Sequence, residues 1–512
     1  MRRLKKYLRY LSPIFIVKIL ARAFMFVRHR YNVGTEKIYT KERCALLGTL
    51  AVALIAIFLL FIPHINGLAD DGSLADVMKA AGCKYTEADA SLPQGSYFVG
   101  EYLHTKKMSG YLSTHVLLVR MAMMFDNMVT YDNEFDIRFL GLLYLIMYLP
   151  AVYLVIREVI ERIPFASEAT FITILGVAIF GDAAVVVSFN SLYPDALAMI
   201  CILYILGIAL SMQRRVAPLW VEFGYMVILS VSFILAFCES TYGIVAIPIA
   251  LFCISQAISS YANSRIRTIA LIVATVLVFI GISGLLVAGD RFGENSRLNA
   301  MTSGVLQTSK NPAEALAEFG IDSRFETLAD TTCYDFYPYT TSGNKELIRD
   351  FYPYYNNLKV FMYYVKHPGD YLTLLELGTH NAFRSRRDYI GNYEYSAGFG
   401  ERARTPWFSI FSNIKSDAIP GTTGFLVIII GIYMVVLNVK STKNMDIRRR
   451  NIALGTFILA IVCGVTFCTA IIVRSGSAEL SRYSLFFSIC IDFAIYLFAA
   501  EIVHRLGFLA EK

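Results

Sequence analysis

Two adjacent carboxylates, Asp70 and Asp71, stand about eight residues past a long apolar run, in the stretch IPHINGLADDGSLADV. A carboxylate in that place suits a general base, because an attacking hydroxyl must lose its proton as it reacts. Two neighbours raise each other's pKa, which favours the role. The competing reading is helix capping: an Asp or Ser73 accepts from free backbone amides at the start of the helix-like GSLADVMKAAGC.

Further along, IFGDAAVVVSFNSLYPDALAM carries Asp182 inside an apolar run, then Asn190, Tyr193 and Asp195 in a turn. If the run crosses a bilayer, Asp182 costs roughly 2.5 kcal/mol or more unless it is paired or faces a wet cavity. Asp195 either caps the next helix or, with Asn190, binds the hydroxyls of a sugar or a lipid headgroup. Glu239 in FCESTYG and the segment RSGSAELSRYS, with Arg474, Glu479 and Arg482, complete the set. Arginine is suited to bidentate phosphate contact. Interfacial anchoring, or an ion pair with Glu479, is the alternative use. Asp492 repeats the cost of Asp182 and calls for a basic partner. No phosphate loop, dinucleotide fingerprint, HExxH, CxxC or GxSxG falls in a context that fits, so ATP-driven transport, dinucleotide redox and zincin chemistry have no support.

Hydrophobic segments must position these groups. Of 512 residues, 56% are hydrophobic and 17% charged, the composition of a polytopic membrane protein. Apolar runs fall at 44–62, 136–156, 169–188, 196–212, 220–238, 243–260, 268–289, 422–440, 452–473 and 484–503, which makes about ten transmembrane helices. Basic residues mark one side: Arg157 and Arg162, Arg214 and Arg215, Arg265 and Arg267, then KSTKNMDIRRR. The turns at 189–195 and 238–243 have none, so both termini are expected in the cytoplasm. The net charge of +7 follows from this placement and needs no nucleic-acid partner. Residues 1–43, with about a dozen Lys and Arg, read as a cytoplasmic amphipathic segment on anionic lipid.

Two long segments, 63–135 and 290–421, fall on the exoplasmic side. The division is therefore a basic segment (1–43), seven spans with an exoplasmic loop (44–289), an exoplasmic domain (290–421) and three last spans with a short tail (422–512). Cys83 and Cys333 lie one in each long segment, and the sequence allows a disulfide between them.

These blocks, in this order, resemble the GT-C superfamily of integral-membrane glycosyltransferases, most closely bacterial glycan-biosynthesis hexosyltransferases of the WsfD type. DDGSLADVMKAAG is similar to that family's first-loop acidic motif, and FGDAAVVVSFNSLYPDA to its second. SRLNAMTSGVLQTSKNPAEALAEFGI, YVKHPGDYL, IGNY and AELSRYSLFFSICID fit its later elements. Ser73 stands where the family has a second acid, Val185 and Ser188 where it has tyrosines, Pro194 and Asp195 where it has Gly-Glu, and Tyr483 where it has His.

The resemblance implies an all-α polytopic membrane protein with a mixed exoplasmic cap, in a bacterial plasma membrane. It also implies transfer of a sugar, a hexose, from a polyprenyl phosphate or diphosphate to a cell-surface glycan. Asp70 would be the base, with Asp71 beside it. Asp182, Asn190, Tyr193, Asp195, Glu239 and Glu479 would orient sugar or base, and Arg474 and Arg482 would meet the phosphate. No cofactor is required, and a divalent cation is left open. The rival readings are a flippase or carrier of lipid-linked sugars and a lipid-linked glycan polymerase or ligase. A carrier places its charges at the bilayer midplane; a polymerase is suggested by FRSRRDY in the late loop.

Overall fold

The structure, a computed structural model, describes residues 40–62, 64–69, 74–91, 97–105, 112–161, 163, 165–212, 218–259, 263–291, 293–333, 335, 343–384, 386–387, 389–438 and 447–511. The basic segment as far as residue 39, and the bases expected at Asp70 and Asp71, lie outside the described residues.

Along the chain come α1 (Lys41–Phe61), α2 (Thr114–Val129), α3 (Arg138–Ile160), α4 (Ala166–Phe180), the one-turn α5 (Ala183–Val186), α6 (Asp195–Met212), α7 (Pro218–Ala236), α8 (Ala246–Ser259) and α9 (Ser264–Arg291). Then follow α10 (Asn357–Lys366), α11 (Pro368–Phe383), α12 (Ile410–Ala418), α13 (Thr423–Asn438), α14 (Ile447–Ser475) and α15 (Ser484–Glu511). Among the described residues eight helices are long and apolar enough to cross a membrane, or up to ten if each of two bent pairs is one span. Rows of large apolar side chains face outward, such as Leu46, Leu50 and Leu54 on α1, Phe223 and Phe233 on α7, Ile272 and Phe279 on α9, and Val427 and Val435 on α13. Water would not tolerate such rows, whereas acyl chains cover them without cost. α6 and α15 are buried almost all round and form the centre of the bundle. The chain is an all-α polytopic membrane protein, as its composition predicts.

The bent pairs depart from the simple spans that hydropathy draws at 169–188 and 422–440. The first breaks by 46° between α4 and the Ala183–Phe189 segment. Gly181 ends α4, and Asp182, in an extended conformation, starts a new helix by accepting from the Ala184 amide at 2.9 Å. The second bends by 104° between α12 and α13, so α12, which the sequence places in the exoplasmic domain, belongs with the bundle. Its outward face is apolar, with Ile410 and Ile414 exposed, and its inward face carries Ser412 and Lys415. That inverted amphipathicity hides the helix from a reading that expects polar residues on the outside.

The face of the bundle bearing both long segments is here termed the loop face. There β1 (Asn66–Leu68), from the first segment, pairs antiparallel with β5 (Ile390–Tyr393) from the second, in the register Asn66↔Tyr393, Gly67↔Asn392, Leu68↔Ile390. β2 (Cys83–Tyr85), β3 (Tyr102–His104) and β4 (Glu134–Phe135) form a separate antiparallel sheet. The two long segments are thus joined into one cap by backbone pairing. The disulfide allowed by the sequence does not form: neither Cys83 nor Cys333 is disulfide-bonded. Cys83 points its thiol at the Met78 carbonyl, while Cys333 sits against Asn299 in the second segment.

Candidate functional site

Three turns bring the charged groups together at the loop face: the one before α6, the one between α7 and α8, and the one between α14 and α15. Each is fixed by its own contacts.

Asn190 braces the first. Its Nδ2 donates to the Leu60 carbonyl at the end of α1 and to the Asn66 carbonyl in β1, both at 3.1 Å. Gly67 lies so close that a side chain there would fall on the Asn190 carbonyl oxygen. His115 holds the same turn from α2: Nε2 meets the Leu192 carbonyl at 2.6 Å and Nδ1 meets the Tyr144 hydroxyl at 3.0 Å. A carbonyl can only accept, so Nε2 carries the proton and Nδ1 accepts. Burial pushes the His115 pKa down to about 4, and the ring is neutral. Nothing in the spacing of the sequence marks this histidine, which lies 77 residues from the backbone it holds.

In the second turn Glu239 occupies the capping position of a short helical turn, Ser240–Val245, yet makes no capping bond. Its carboxylate instead crosses to the third turn, where Oε1 accepts from Arg474 Nη1 at 3.1 Å and from the Tyr483 hydroxyl. Arg474 also donates to Thr241. The third turn rests on a π-helical stretch, Ala300–Leu306: the Ser477 amide donates to the Ser303 carbonyl at 2.9 Å. Gly476, at φ +58°, packs directly on Gly304, where no larger residue fits.

The result is a compact, mostly buried cluster. Asp195, Glu239, Glu479 and Arg474 are each less than a tenth exposed. Asp195 Oδ1 accepts from the Tyr242 hydroxyl at 3.1 Å, rather than serving only as a helix cap. The other oxygen of Asp195 and Oε2 of Glu479 are buried without a hydrogen-bond partner among the described residues. Arg482 is only half-buried and lies between two aromatic faces, its guanidinium 4.6 Å from the ring centroids of both Tyr193 and Tyr483. Burial raises the Tyr483 hydroxyl pKa well above the ordinary range, so it remains a donor to Glu239. Of the two arginines, Arg474 is enclosed in the protein and Arg482 stands nearer solvent.

Asp182 belongs to a different cluster. Its Oδ2 accepts from the Ser412 amide at 2.9 Å, and α12 is held there also by the Ala183 amide, which donates to the Phe408 carbonyl at 2.7 Å. Lys415, fully buried, reaches Asp492 Oδ1 at 2.5 Å and the Ser488 hydroxyl at 2.8 Å. The basic partner that Asp492 calls for is therefore a lysine on α12, the first arm of the bent pair.

Ala69, the last described residue before Asp70, is tied to the same region: its amide donates to the Tyr389 carbonyl at 2.9 Å. The Tyr389 hydroxyl in turn donates to the Ser481 carbonyl, next to Arg482. Among the described residues no group of three or more His, Cys, Asp or Glu stands ready to hold a metal ion.

No curated protein and no solved structure matches the chain. Residues 32–512 match the YfdI N-terminal transmembrane domain, and the chain belongs to that family of membrane proteins.

Proposed function

We propose that the protein is a membrane glycosyltransferase that moves a sugar, a hexose, from a polyprenyl-phosphate donor to an exoplasmic glycan, in the manner of the GT-C enzymes it resembles. The family match is consistent with a glycosyltransferase-like membrane protein. The observation that supports the reading best is the loop-face cluster, where Arg482 sits between Tyr193 and Tyr483 above the buried Asp195, Glu239 and Arg474. An arginine held between two rings keeps its forked donor set in one fixed plane, the shape that matches a phosphate.

In this mechanism the donor's lipid lies in the bilayer and its phosphate rests against Arg482. Asp70 removes the proton from an acceptor hydroxyl, and the oxygen attacks the anomeric carbon with inversion. The bond from that carbon to the phosphate oxygen breaks, and polyprenyl phosphate leaves with its charge met by arginine. Glu239 and Tyr483 hold Arg474 and the turn in place. Asp195 and Glu479, each with one buried oxygen that has no partner among the described residues, lie behind this surface and would orient the groups that meet the sugar. The reaction takes place on the exoplasmic face of a plasma membrane and uses neither nucleotide nor nucleic acid.

A transfer assay in lipid tests this, with radiolabelled polyprenyl-phosphate hexose as donor and crude cell-surface glycan as acceptor. Wild type should transfer label, and Asp70→Asn should be slower by roughly 100- to 10,000-fold, the usual worth of a general base. Full activity in the Asp70→Ala, Asp71→Ala double variant would overturn the assignment. Labelled lipid crossing the bilayer without transfer would point to a carrier instead.

A further inference from the structure

At the end of β5 remote from Tyr389, aromatic rings gather on the cap. Beyond Tyr393 the chain makes a short turn, Tyr395–Ala397, and Gly398, at φ +73°, sends it back. Phe399 then stacks on Tyr393 at 4.4 Å and meets His64 edge-on at 5.2 Å. Tyr395 stands edge-on to Phe98 at 5.3 Å. Phe98 belongs to a strand-like edge beside β5, where the Val99 amide donates to the Tyr393 carbonyl at 3.0 Å. Tyr395 and Phe399 are 47% and 42% exposed, and among the described residues nothing lies within 4 Å of where a side chain would stand at Gly398 or Gly400. Both rings are thus partly exposed at the cap surface.

Charged groups border the rings. Glu101 accepts from the Ser396 amide and Glu394 from the Ile65 amide, each at 3.4 Å and each through one oxygen, Oε1. Arg402 lays its guanidinium 4.5 Å over the ring of Tyr97. Both of these residues hold left-handed backbone, φ 62° and 59°, which non-glycine residues adopt only at an energetic cost and which concentrates at binding sites.

We propose that this platform is a saccharide subsite, which binds the acceptor chain away from the reacting hydroxyl; the assignment of the saccharide as acceptor rests on the transferase reading. A sugar ring has an apolar face of C–H groups, which stacks on an exposed aromatic, and a rim of hydroxyls, which donate to carboxylates and accept from a guanidinium. The platform supplies both. A lipid covering fits less well, since Glu101 and Glu394 would repel anionic headgroups. The aromatics that adjoin α1, Phe58 with Trp407 and Phe408, form a separate group. β5 advances roughly 10 Å from its start near Tyr389 to Tyr393. The platform therefore lies one strand length along β5 from Tyr389, and in this proposal it serves acceptors long enough to reach across that strand.

Binding is measured first, by saturation-transfer NMR on the protein in nanodiscs with purified mono- to hexasaccharides of hexoses in α and β linkage. Wild type should bind at least one oligosaccharide, and Tyr395→Ala and Phe399→Ala should each weaken it by about tenfold. In the transfer assay the same variants should lower kcat/KM for long acceptors and leave monosaccharide acceptors unchanged. Absence of oligosaccharide binding by wild type, or binding indifferent to both variants, overturns the subsite. So does quenching by brominated acyl chains of a Tyr395→Trp reporter in a Trp220→Phe, Trp407→Phe background, because it would place the rings in lipid. Platform-dependent binding without any sugar transfer would sustain the subsite and remove the transferase reading.

Discussion

The two arginines of the loop face differ in what surrounds them, and the difference predicts how each responds to substitution. Arg474 is buried with Glu239, Thr241 and Tyr483 around one carboxylate. Removing it takes away the basic partner of the buried Glu239, and breaking a buried pair costs about 3–5 kcal/mol. Arg482 lies half-exposed between tyrosine faces, so Arg482→Lys keeps the charge but loses the flat, forked donor set. We expect Arg474→Ala to lower the thermal unfolding temperature markedly. Arg482→Lys should unfold near wild type and transfer at least tenfold more slowly. Equal loss of stability in both variants would mean that both arginines are structural. The sequence shows that these positions are unusual, because they break the charge bias of the short loops on that side. It does not show which of the two is enclosed, because that depends on packing between turns more than 200 residues apart.

At the scale of elements, α12 of the bent pair is the part least legible beforehand. Lys415 sits in a stretch with no long apolar run, so hydropathy places it in the cap, and only tertiary packing brings it to Asp492 and Asp182. Asp182 and Asp492 are recognisable from cost alone, since a carboxylate in an apolar run demands a partner. The identity of that partner is not local information. A thermodynamic cycle measures the pair. Lys415→Met alone leaves Asp492 unpaired and should destabilise by about 3–5 kcal/mol. The Lys415→Met, Asp492→Leu double variant should recover most of that loss, because a buried pair replaced by apolar groups of similar size is often neutral. If both variants lose the same amount, α12 is held chiefly by Asp182 and the backbone bonds around it.

For the molecule as a whole, the ten apolar segments, their order and the existence of two long loops follow from hydropathy, and the structure bears them out apart from the two bends. How cap and bundle are seated on one another does not follow, because β1 and β5 are three residues and four residues long and lie more than 300 residues apart. Strands so short carry no periodic signal; β1 is placed by Asn190, which fastens it to the end of α1. Gly67 packs against the backbone of the Asn190 turn, and its substitution tests the seating. In Gly67→Ala the added methyl would strike the Asn190 carbonyl, which is backbone and cannot swing aside. We expect a loss of about 1–3 kcal/mol in stability and slower transfer, since the strand that leads to Asp70 must shift. Gly343→Ala, on a glycine with open space before it, is the matched control and should change neither. If Gly67→Ala matches that control in both unfolding temperature and transfer rate, the cap is not seated on the bundle through β1. Transfer lost with stability intact would instead assign β1 to placing Asp70 rather than to holding the fold.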